Sequence, residues 1–479
     1  MAYKMSERNQ MNLFPSVIDD YVSKDDPVRV YDAFVDALNC KELGISITSY
    51  KSGAHEYYPK DMLKLLIYGY SYGIRSSRKL ERACCHNLSF IWLMGGLKPD
   101  YRTISRFRSE YKDAIKNVLK QCARMCIKLD LIEGNALFID GSPFRASASI
   151  RNTWTLTRCE KHIKDLSSRI DELVDESVDI DTHEDGMDSL TRVKKELADK
   201  TALKKRLEDI TAELKESQKP LLNTTDPDCV ISRSRQGTHA SYNAQLTVDE
   251  KHGLIVNSEA VSHSQDYNKF SDQVSKAAAV LEKKPEAAVS DCGYYSLDDI
   301  AKVDKDIAVI MPSIKEAQKE KGLHPVKPFA KEQFKYDPSR DEYICPEGKR
   351  LKYINRSLRR KSRYYQADKE RCHSCRHFDV CVSSPNRGRI ISRMFEEELQ
   401  DKLKAVYLSA EGQKIYKLRK QKVELPFGHM KHNLGAGQFM LRTKPKVDAE
   451  LSILSTCFNI ARMMTIMGIP KLLQTLNGS

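Results

Sequence analysis

The chain has 479 residues, 41% of them hydrophobic, which is enough for two to four domains with buried cores. Its 79 Lys and Arg outnumber its 66 Asp and Glu, and the resulting net charge of +13 favours a polyanionic partner. The lack of a long uncharged apolar run and of a signal-peptide pattern at residues 1–8 argues against a membrane protein and predicts a cytoplasmic one. Thirteen cysteines therefore indicate reduced thiols or a metal site rather than disulfides.

Residues 1–130 have helix-like apolar spacing and predict a small helical domain that binds DNA. Pro59 suits the first turn of one of its helices. Two later segments, 75–79 and 101–108, place basic residues and hydroxyls at helix edges, where they could contact DNA phosphates. Ordinary amphipathic helices with solvated charged faces are the alternative.

From Leu131 the pattern changes to short apolar runs that end in turn residues, which is typical of strands. The predicted strands are residues 135–140, 241–248, 254–261, 287–291 and 307–311, with helices at 266–281 and 296–303. This order predicts an α/β ribonuclease H-like fold, a mixed sheet flanked by helices, formed by residues 131–316 and 393–479.

Two insertions interrupt this predicted core. In residues 155–220, apolar side chains recur at steps of three and four and predict a helical hairpin. Its turn region, 171–188, holds nine acids and no Lys or Arg, so we expect it to avoid DNA and to face solvent or a basic partner. A solvated spacer is the alternative.

The second insertion, residues 325–392, contains Cys345, Cys372, Cys375 and Cys381. The two-residue gap between Cys372 and Cys375 is typical of a zinc knuckle, so the four thiolates predict a structural Zn2+ site. His373 or His377 could replace one thiolate, and reduced cysteines that only pack together are the alternative. Residues 349–363 add eight Lys or Arg and no acid, interleaved with tyrosines, which is typical of a surface that follows DNA phosphates.

The run 451–472 near the C-terminus is largely apolar, but polar residues interrupt it, and Gly468 and Pro470 mark a helix end. It predicts a core helix rather than a membrane span.

Three acids lie where a ribonuclease H-like fold carries catalytic carboxylates. Asp140 closes the first predicted strand, Asp291 closes the fourth, and Glu424 lies in a basic, helix-like stretch, 414–431. Such acids can hold the two Mg2+ ions of phosphodiester chemistry. Singly, Asp140 before glycine could instead form a turn and Asp291 could cap the next segment.

Four other aspartates are weaker candidates for the same site. Asp226, Asp228 and Asp249 fit turns. His263 and Asp266 come just after the third predicted strand and could lie near the site, although Asp266 could equally cap a helix.

Motifs in one order along nearly the whole chain carry a family resemblance. They are YYP at 57–59, FIDGSPF at 138–144, TDPD at 225–228, YNAQ at 242–245, DCGYY at 291–295 and VELPFGHMK at 423–431. With these motifs the chain resembles the DDE transposases of bacterial insertion sequences, in the branch with a helical N-terminal domain and a cysteine-bearing insertion before the glutamate.

The resemblance implies Mg2+- or Mn2+-dependent cleavage of DNA at the ends of a mobile element, followed by strand transfer into target DNA. Asp140, Asp291 and Glu424 would be the metal ligands. The implied partner is double-stranded DNA, bound by a homo-oligomer in a bacterial cytoplasm, at the nucleoid.

The stretch around Glu424 resembles the family's Tyr, Arg, Glu, Lys signature, which implies DNA contacts by Tyr416, Arg419 and Lys431. Two features depart from it. Arg419 lies five residues before Glu424 where four is commoner, and Lys420 occupies the nearer position. Pro426 is expected to disrupt a continuous helix unless it lies in a first turn or at a kink.

Two other functions fit the sequence. A ribonuclease H-like nuclease that cuts without strand transfer would need the same three acids. A domesticated transposase that only binds DNA would not need them.

Overall fold

The computed structural model describes residues 17–45, 56–181, 187–234, 237–323, 328–382 and 384–478, so the predicted acidic turn at 171–188 lies partly outside the described residues. The chain divides into two compact units. The first unit is Met1–Asp266, Lys276–Lys284 and Lys420–Ser479, and the second is Tyr267–Ser275 and Pro285–Arg419. The domain boundaries predicted above follow sequence order rather than packing, and they stay a prediction.

The helices of the described residues are α1 (Pro27–Asp36), α2 (Cys40–Leu43), α3 (Pro59–Ser71), α4 (Ser77–His86), α5 (Leu88–Leu93), α6 (Tyr101–Glu110), α7 (Lys112–Lys128), α8 (Leu156–Asp181), α9 (Met187–Ser217), α10 (Phe270–Leu281), α11 (Leu297–Ile300), α12 (Ile314–Glu320), α13 (Lys369–His373), α14 (Phe378–Cys381), α15 (Glu397–Leu408), α16 (Ala410–Gly428), α17 (Lys444–Met467) and α18 (Ile469–Asn477). The strands are β1 (Ala136–Arg145), β2 (Thr153–Trp154), β3 (Leu222–Asn223), β4 (Val230–Ser234), β5 (Gly237–Asp249), β6 (Ile255–Val261), β7 (Ala287–Val289), β8 (Ala308–Ile310), β9 (Lys335–Asp337), β10 (Glu342–Ile344), β11 (Arg350–Ser357), β12 (Ser362–Ala367) and β13 (Ile390–Met394). The fold is mixed α/β with a helical N-terminal region.

Local sequence signals explain where the N-terminal helices begin. Asp26 caps α1 by accepting a hydrogen bond from the Val28 N–H at 2.9 Å, and proline occupies the first position of both α1 and α3. Asp100 caps α6 through the Thr103 N–H at 2.6 Å. In the described part of residues 1–130 the secondary structure is therefore helical, as the sequence predicts.

Helix α17 is the core helix of the first unit. Its side chains from Val447 to Ile460 are buried, and the amide of buried Asn459 bonds both the N–H and the carbonyl of Ile255, each at 2.8 Å. The predicted core helix is confirmed, with a break at Gly468, whose φ of 76° divides α17 from α18. Among the described helices, none is long and apolar enough to span a membrane alone. Helices α17 and α18 have sufficient length and apolar composition when taken together, but they are bent by 111° relative to each other.

A buried ion pair ties the N-terminal helices to α17. Arg75, which precedes α4, places its Nη1 atom 3.0 Å from Oε1 of Glu450, whose side chain is fully buried. The same guanidinium donates to the carbonyls of Gln438 and Gly435, each at 2.8 Å. Burial raises the pKa of Glu450, and the charge of Arg75 opposes that rise. Every bond here lies within the first unit.

The sheet of the first unit is antiparallel. Strand β5 pairs with β1, β4 and β6, and β1 extends five residues beyond the predicted end at Asp140 because 141–145 pair with 241–245 of β5. Strand β4 was not predicted. In the second unit β7 and β8 pair in parallel, and the predicted helix at 296–303 is only the short α11.

The residues predicted to form a helical hairpin fold as two long helices. In α8 and α9, Cys159, Leu207, Ile210 and Leu214 are buried in one apolar cluster, which also includes Leu222 of β3. Packing of this apolar stripe holds the two helices together, as the spacing of three and four residues predicts.

The second unit also contains a five-stranded antiparallel sheet that the sequence did not indicate, in the order β13, β12, β11, β10, β9. One face of this sheet is packed: Tyr343, Leu351, Tyr365 and Ile391 are buried there. These strands were not predicted because burial does not alternate along the longest of them: of the eight residues of β11 only Leu351 is buried.

The buried ion pair yields a stability prediction. Glu450→Ala should lower the free energy of unfolding by about 3–5 kcal/mol, because it leaves the buried charge of Arg75 without its partner. Urea denaturation measures the change.

The matched control is Glu110→Ala in α6. Glu110 lies 3.9 Å from Arg106 in a pair whose side chains are 59% and 65% exposed, so its loss should cost at most about 1 kcal/mol. Equal losses in the two variants would contradict the assigned role of the buried pair.

Candidate active site

Asp140 lies at the point where β1 leaves the core. The preceding residues Leu137, Phe138 and Ile139 are fully buried, whereas Asp140 is half-buried and in register with Leu246 of β5. Asp140 and Gly141 are internal to a strand, so the alternative that they form a turn is wrong. The buried run before Asp140 fixes the backbone that carries the carboxylate.

Lys431 lies beside the same end of β1. Its Nζ donates to Ser142 Oγ at 2.5 Å and lies 4.7 Å from the ring centroid of Phe144 and 5.8 Å from that of Phe427. Burial lowers the pKa of Lys431, and the negative charge of Asp140 opposes that shift. The structure therefore brings a half-buried cation within electrostatic range of Asp140.

Glu424 lies on α16, and Phe427 of this helix packs against Phe144 of β1 at a ring-centroid distance of 6.3 Å. Glu424 is three residues before Phe427, so the two share one side of the helix. The Glu424 side chain is 64% exposed and lies 4.0 Å from Lys420, an exposed pair that holds it only weakly.

Pro426 does not break α16. The helix runs through it to Gly428 and widens into a π-helical turn at His429–Asn433. Pro426 lacks an N–H, so it cannot donate the usual helical hydrogen bond to the Lys422 carbonyl. The π-helical turn at His429–Asn433 is a second irregularity at the end of the same helix.

Asp291, Tyr416 and Arg419 are neighbours within the second unit. Asp291 follows β7 and caps the next turn by accepting from the Gly293 N–H at 2.8 Å, as the alternative reading of this residue predicted. Burial raises the pKa of Tyr416; Arg419 lowers it and Asp291 raises it further. The Arg419 guanidinium lies 5.9 Å from the Tyr416 ring centroid. Asp291 and Arg419 are therefore both within electrostatic range of Tyr416.

Asp266 lies against the strand that carries Asp140. Its Oδ1 accepts hydrogen bonds from the side-chain amides of Asn243 and Gln245, both at 2.7 Å. Gln245 is in register with Gly141, so this cluster is on the face of β1 opposite to Asp140. A side chain at Gly141 would overlap Asp266. Sequence reasoning gave Asn243 and Gln245 no role, although polar residues at alternate positions of an apolar strand are a usable signal.

The remaining aspartates have structural roles. Asp226 is buried and accepts from the Tyr242 hydroxyl at 2.7 Å, and Asp228 accepts from the Lys444 N–H at 2.9 Å. Asp249 accepts from the Gly134 N–H at 2.7 Å. These bonds agree with the turn assignments made from the sequence.

The predicted acids have the donor chemistry of a magnesium site. Carboxylate oxygens are preferred ligands of Mg2+ and suit Mn2+. Asp140 and Glu424 belong to the first unit and Asp291 to the second. Among the residues that the structure describes, no three His, Cys, Asp or Glu side chains form a group that could hold a metal ion. The ligand set therefore stays a prediction.

The four cysteines predicted to bind zinc line one cavity of about 30 Å³, which has room for an ion but not for an organic ligand. The Lys349 N–H donates to Cys345 Sγ at 3.2 Å, in a tight turn that uses Gly348 at a φ of 75°. Burial raises the pKa of the Cys381 thiol; Arg389 opposes this, and the other three cysteines add to it.

The lining of the cavity favours His377 over His373 as a replacement for one thiolate. His377 lines the cavity, whereas the His373 Nε2 atom lies 2.7 Å from the Pro385 carbonyl oxygen. The four thiols share this cavity without forming a metal-holding group among the described residues.

An arginine-lined groove of about 500 Å³ lies between α4 and α6, where the two predicted DNA-contacting segments meet. Arg78, Arg102 and Arg106 line it together with four serines and Tyr101. The ring centroid of Tyr101 lies 5.1 Å from the Arg78 guanidinium and 5.8 Å from that of Arg102. Clustered guanidinium and hydroxyl groups are typical of surfaces that contact DNA phosphates.

Comparison with protein families gives two matches. The family described as a transposase domain, DUF772, matches residues 16–110, which include the arginine-lined groove. The family described as a transposase DDE domain matches residues 344–464, which include Glu424, Lys431 and the four cysteines. No curated protein and no solved structure matches the chain.

The close approach at Gly141 yields a second prediction. Gly141→Ala should destabilise the protein by about 1–3 kcal/mol, because the added methyl group displaces Asp266 from its two amide donors. Thermal and urea unfolding measure the change.

Gly428→Ala is the control, because an added methyl group there meets nothing within 4 Å and the backbone is helical. This variant should be as stable as the wild type or slightly more stable. A Gly141→Ala protein of unchanged stability would refute the proposed close packing.

Proposed function

Because this chain carries both the transposase domain and the DDE domain of a DDE transposase of insertion sequences, we propose that it cleaves DNA at the ends of its element and joins them to target DNA. The observation that carries this proposal is the packing of α16, which bears Glu424, against β1, which bears Asp140. This packing supports a shared site for two acids that are distant in sequence.

The order of strands supports a ribonuclease H-like core. In the first unit β1, β5 and β6 form an antiparallel arrangement, and in the second unit β7 and β8 are parallel. With α10 between β6 and β7 and α11 between β7 and β8, these strands follow the predicted succession of three strands, helix, strand, helix and strand. In this proposal Asp140, Asp291 and Glu424 are the catalytic carboxylates.

The carboxylates of Asp140, Asp291 and Glu424 would hold Mg2+ or Mn2+, which activates a water or a 3′ hydroxyl and stabilises the leaving oxygen when bound. Lys431 neutralises part of the charge of Asp140 in the free protein, and its burial makes it a fixed cation for the phosphate of the cleaved strand. Ser142 orients the ammonium group of Lys431.

Separate basic surfaces would hold the DNA substrate. The arginine-lined groove binds the backbone of double-stranded DNA, and Tyr416 and Arg419 contact DNA close to Asp291. The charge of +13 is consistent with such a partner, and the enzyme would work at the bacterial nucleoid as a homo-oligomer that pairs two ends.

The first test is cleavage of DNA that carries the ends of the element. With Mg2+ the wild type should cut such DNA, and Asp140→Ala, Asp291→Ala or Glu424→Ala should each abolish cutting while leaving end binding largely intact, since metal binding rather than DNA binding is lost. A gel-based cleavage assay and a mobility-shift assay measure the two properties.

Glu411→Ala is the matched control, because Glu411 is an exposed acid in the first turn of the same helix as Glu424. It should retain full cleavage. Full activity in a variant of one of the three acids would remove that residue from the mechanism. Cut ends without joined products would identify a nuclease, and end binding by a wild type that never cuts would identify a DNA-binding protein only.

A structural zinc ion is the second part of the proposal. Cys345, Cys372, Cys375 and Cys381 would bind it as thiolates, because these four side chains share one small cavity beside a tight glycine turn. Besides burial, the other three cysteines raise the pKa of the Cys381 thiol, and a bound divalent cation would relieve this repulsion.

Freshly purified protein should contain one zinc ion per chain, measured by elemental analysis. Cys375→Ala should lose the ion and destabilise the second unit, because three thiolates no longer neutralise and cross-link it. Cys40→Ala is the control, since Cys40 is a partly exposed free thiol of α2, and should retain zinc. Wild-type protein free of zinc would refute this site.

A further inference from the structure

The sheet of β9–β13 has one packed face and one open face. Directly paired residues of an antiparallel sheet point to the same side, and neighbours along a strand point to opposite sides. Tyr365, which is buried, therefore points into the core, whereas Tyr364 and Gln366 point to the other face. Register places Asn355 beside Tyr364, and Ile390 beside Gln366, on this open face.

A groove of about 330 Å³ runs over the open face. It is lined by Ile354, Asn355, Tyr364, Gln366, Ile390 and Arg387. Ile354 is the extra residue of a β-bulge, since Tyr353 pairs with Tyr365 and Asn355 pairs with Tyr364. Bulges of this kind re-aim a side chain, and this one adds an apolar wall opposite Ile390.

Four polar side chains line the groove. In the described part of the chain, the amides of Asn355 and Gln366, the hydroxyl of Tyr364 and the guanidinium of Arg387 make no side-chain hydrogen bond or ion pair. The groove therefore offers an aromatic ring, two apolar walls, donors and acceptors from two amides, and one cation.

The surroundings of the groove are strongly basic. Residues 349–363 carry eight Lys or Arg and no acid. Register places Lys352 beside Gln366 on the open face, whereas Arg356, Arg363 and Arg393 are in register on the side of Tyr365. Lys352, which is paired with a residue of the groove, and Arg387, which lines the groove, are two cations that favour a polyanionic occupant.

We infer that the open face of this sheet binds an unpaired DNA strand, with one base in the groove against Tyr364. An aromatic ring and side-chain amides complement the face and edge of a base, and a duplex hides both of these. Arg387 and Lys352 contact the phosphates. The inference rests on the proposed function, because cleavage at a DNA end produces strands that can separate.

Binding of a labelled oligothymidylate of about 16 nucleotides tests the inference, measured by fluorescence anisotropy with the full chain and no added divalent metal. Tyr364→Ala should weaken binding about 5-fold to 100-fold, the range for loss of one base–aromatic stack. Tyr364→Phe should retain the wild-type affinity, because phenylalanine preserves the stack.

Tyr353→Ala is the matched control. Tyr353 is 44% exposed on the neighbouring strand and is in register with Tyr365, so it belongs to the opposite face. This variant should bind the oligonucleotide like the wild type. Duplex DNA of the same sequence is the second probe, and Tyr364→Ala should leave its binding unchanged.

Three results would overturn the inference: unchanged oligothymidylate binding in Tyr364→Ala, equal weakening in Tyr353→Ala, or equal loss of duplex binding. Because the assay involves no cleavage, it fails or succeeds independently of the catalytic proposal. Wild-type protein that binds the oligonucleotide at Tyr364 but never cuts element ends would contradict the catalytic proposal alone.

Discussion

The first unit depends on the buried pair between Arg75 and Glu450. Glu450 also accepts hydrogen bonds from the N–H groups of Met440 and Leu441 at 2.9 Å. The segment around these residues bonds the end of β1, because the Phe439 N–H donates to the Arg145 carbonyl at 2.8 Å. One fully buried carboxylate thus connects the N-terminal helices, α17 and the strand that carries Asp140, and its desolvation is tolerated only because all of its partners are fixed.

The same reasoning explains the character of the candidate site. A buried run of β1 positions Asp140, and a half-buried lysine is held beside it by a hydroxyl and two aromatic rings. Keeping Lys431 partly desolvated is unfavourable in the free protein, as the lowered pKa of its ammonium group indicates. A phosphate group bound there would satisfy this charge. Charged groups whose burial is energetically unfavourable in the free protein are typical of binding sites.

Prediction from the sequence succeeded where one local pattern determined one element. All five predicted strands overlap an observed strand, and the C-terminal core helix lies where it was expected. It failed where two patterns competed. Strand β11 lacks the alternation of a half-buried strand because only Leu351 is buried, and Pro426 indicated a helix break, whereas α16 continues to Gly428.

The sequence by itself determined the fold class, the family resemblance and the three candidate acids, because strand-ending acids and ordered motifs are local features. Only the tertiary structure decided which residues support them. The Arg75–Glu450 pair joins residues 375 positions apart, and Lys431 reaches Ser142 across 289 positions. No periodicity or spacing encodes such contacts, since they arise from the packing of elements that are remote along the chain.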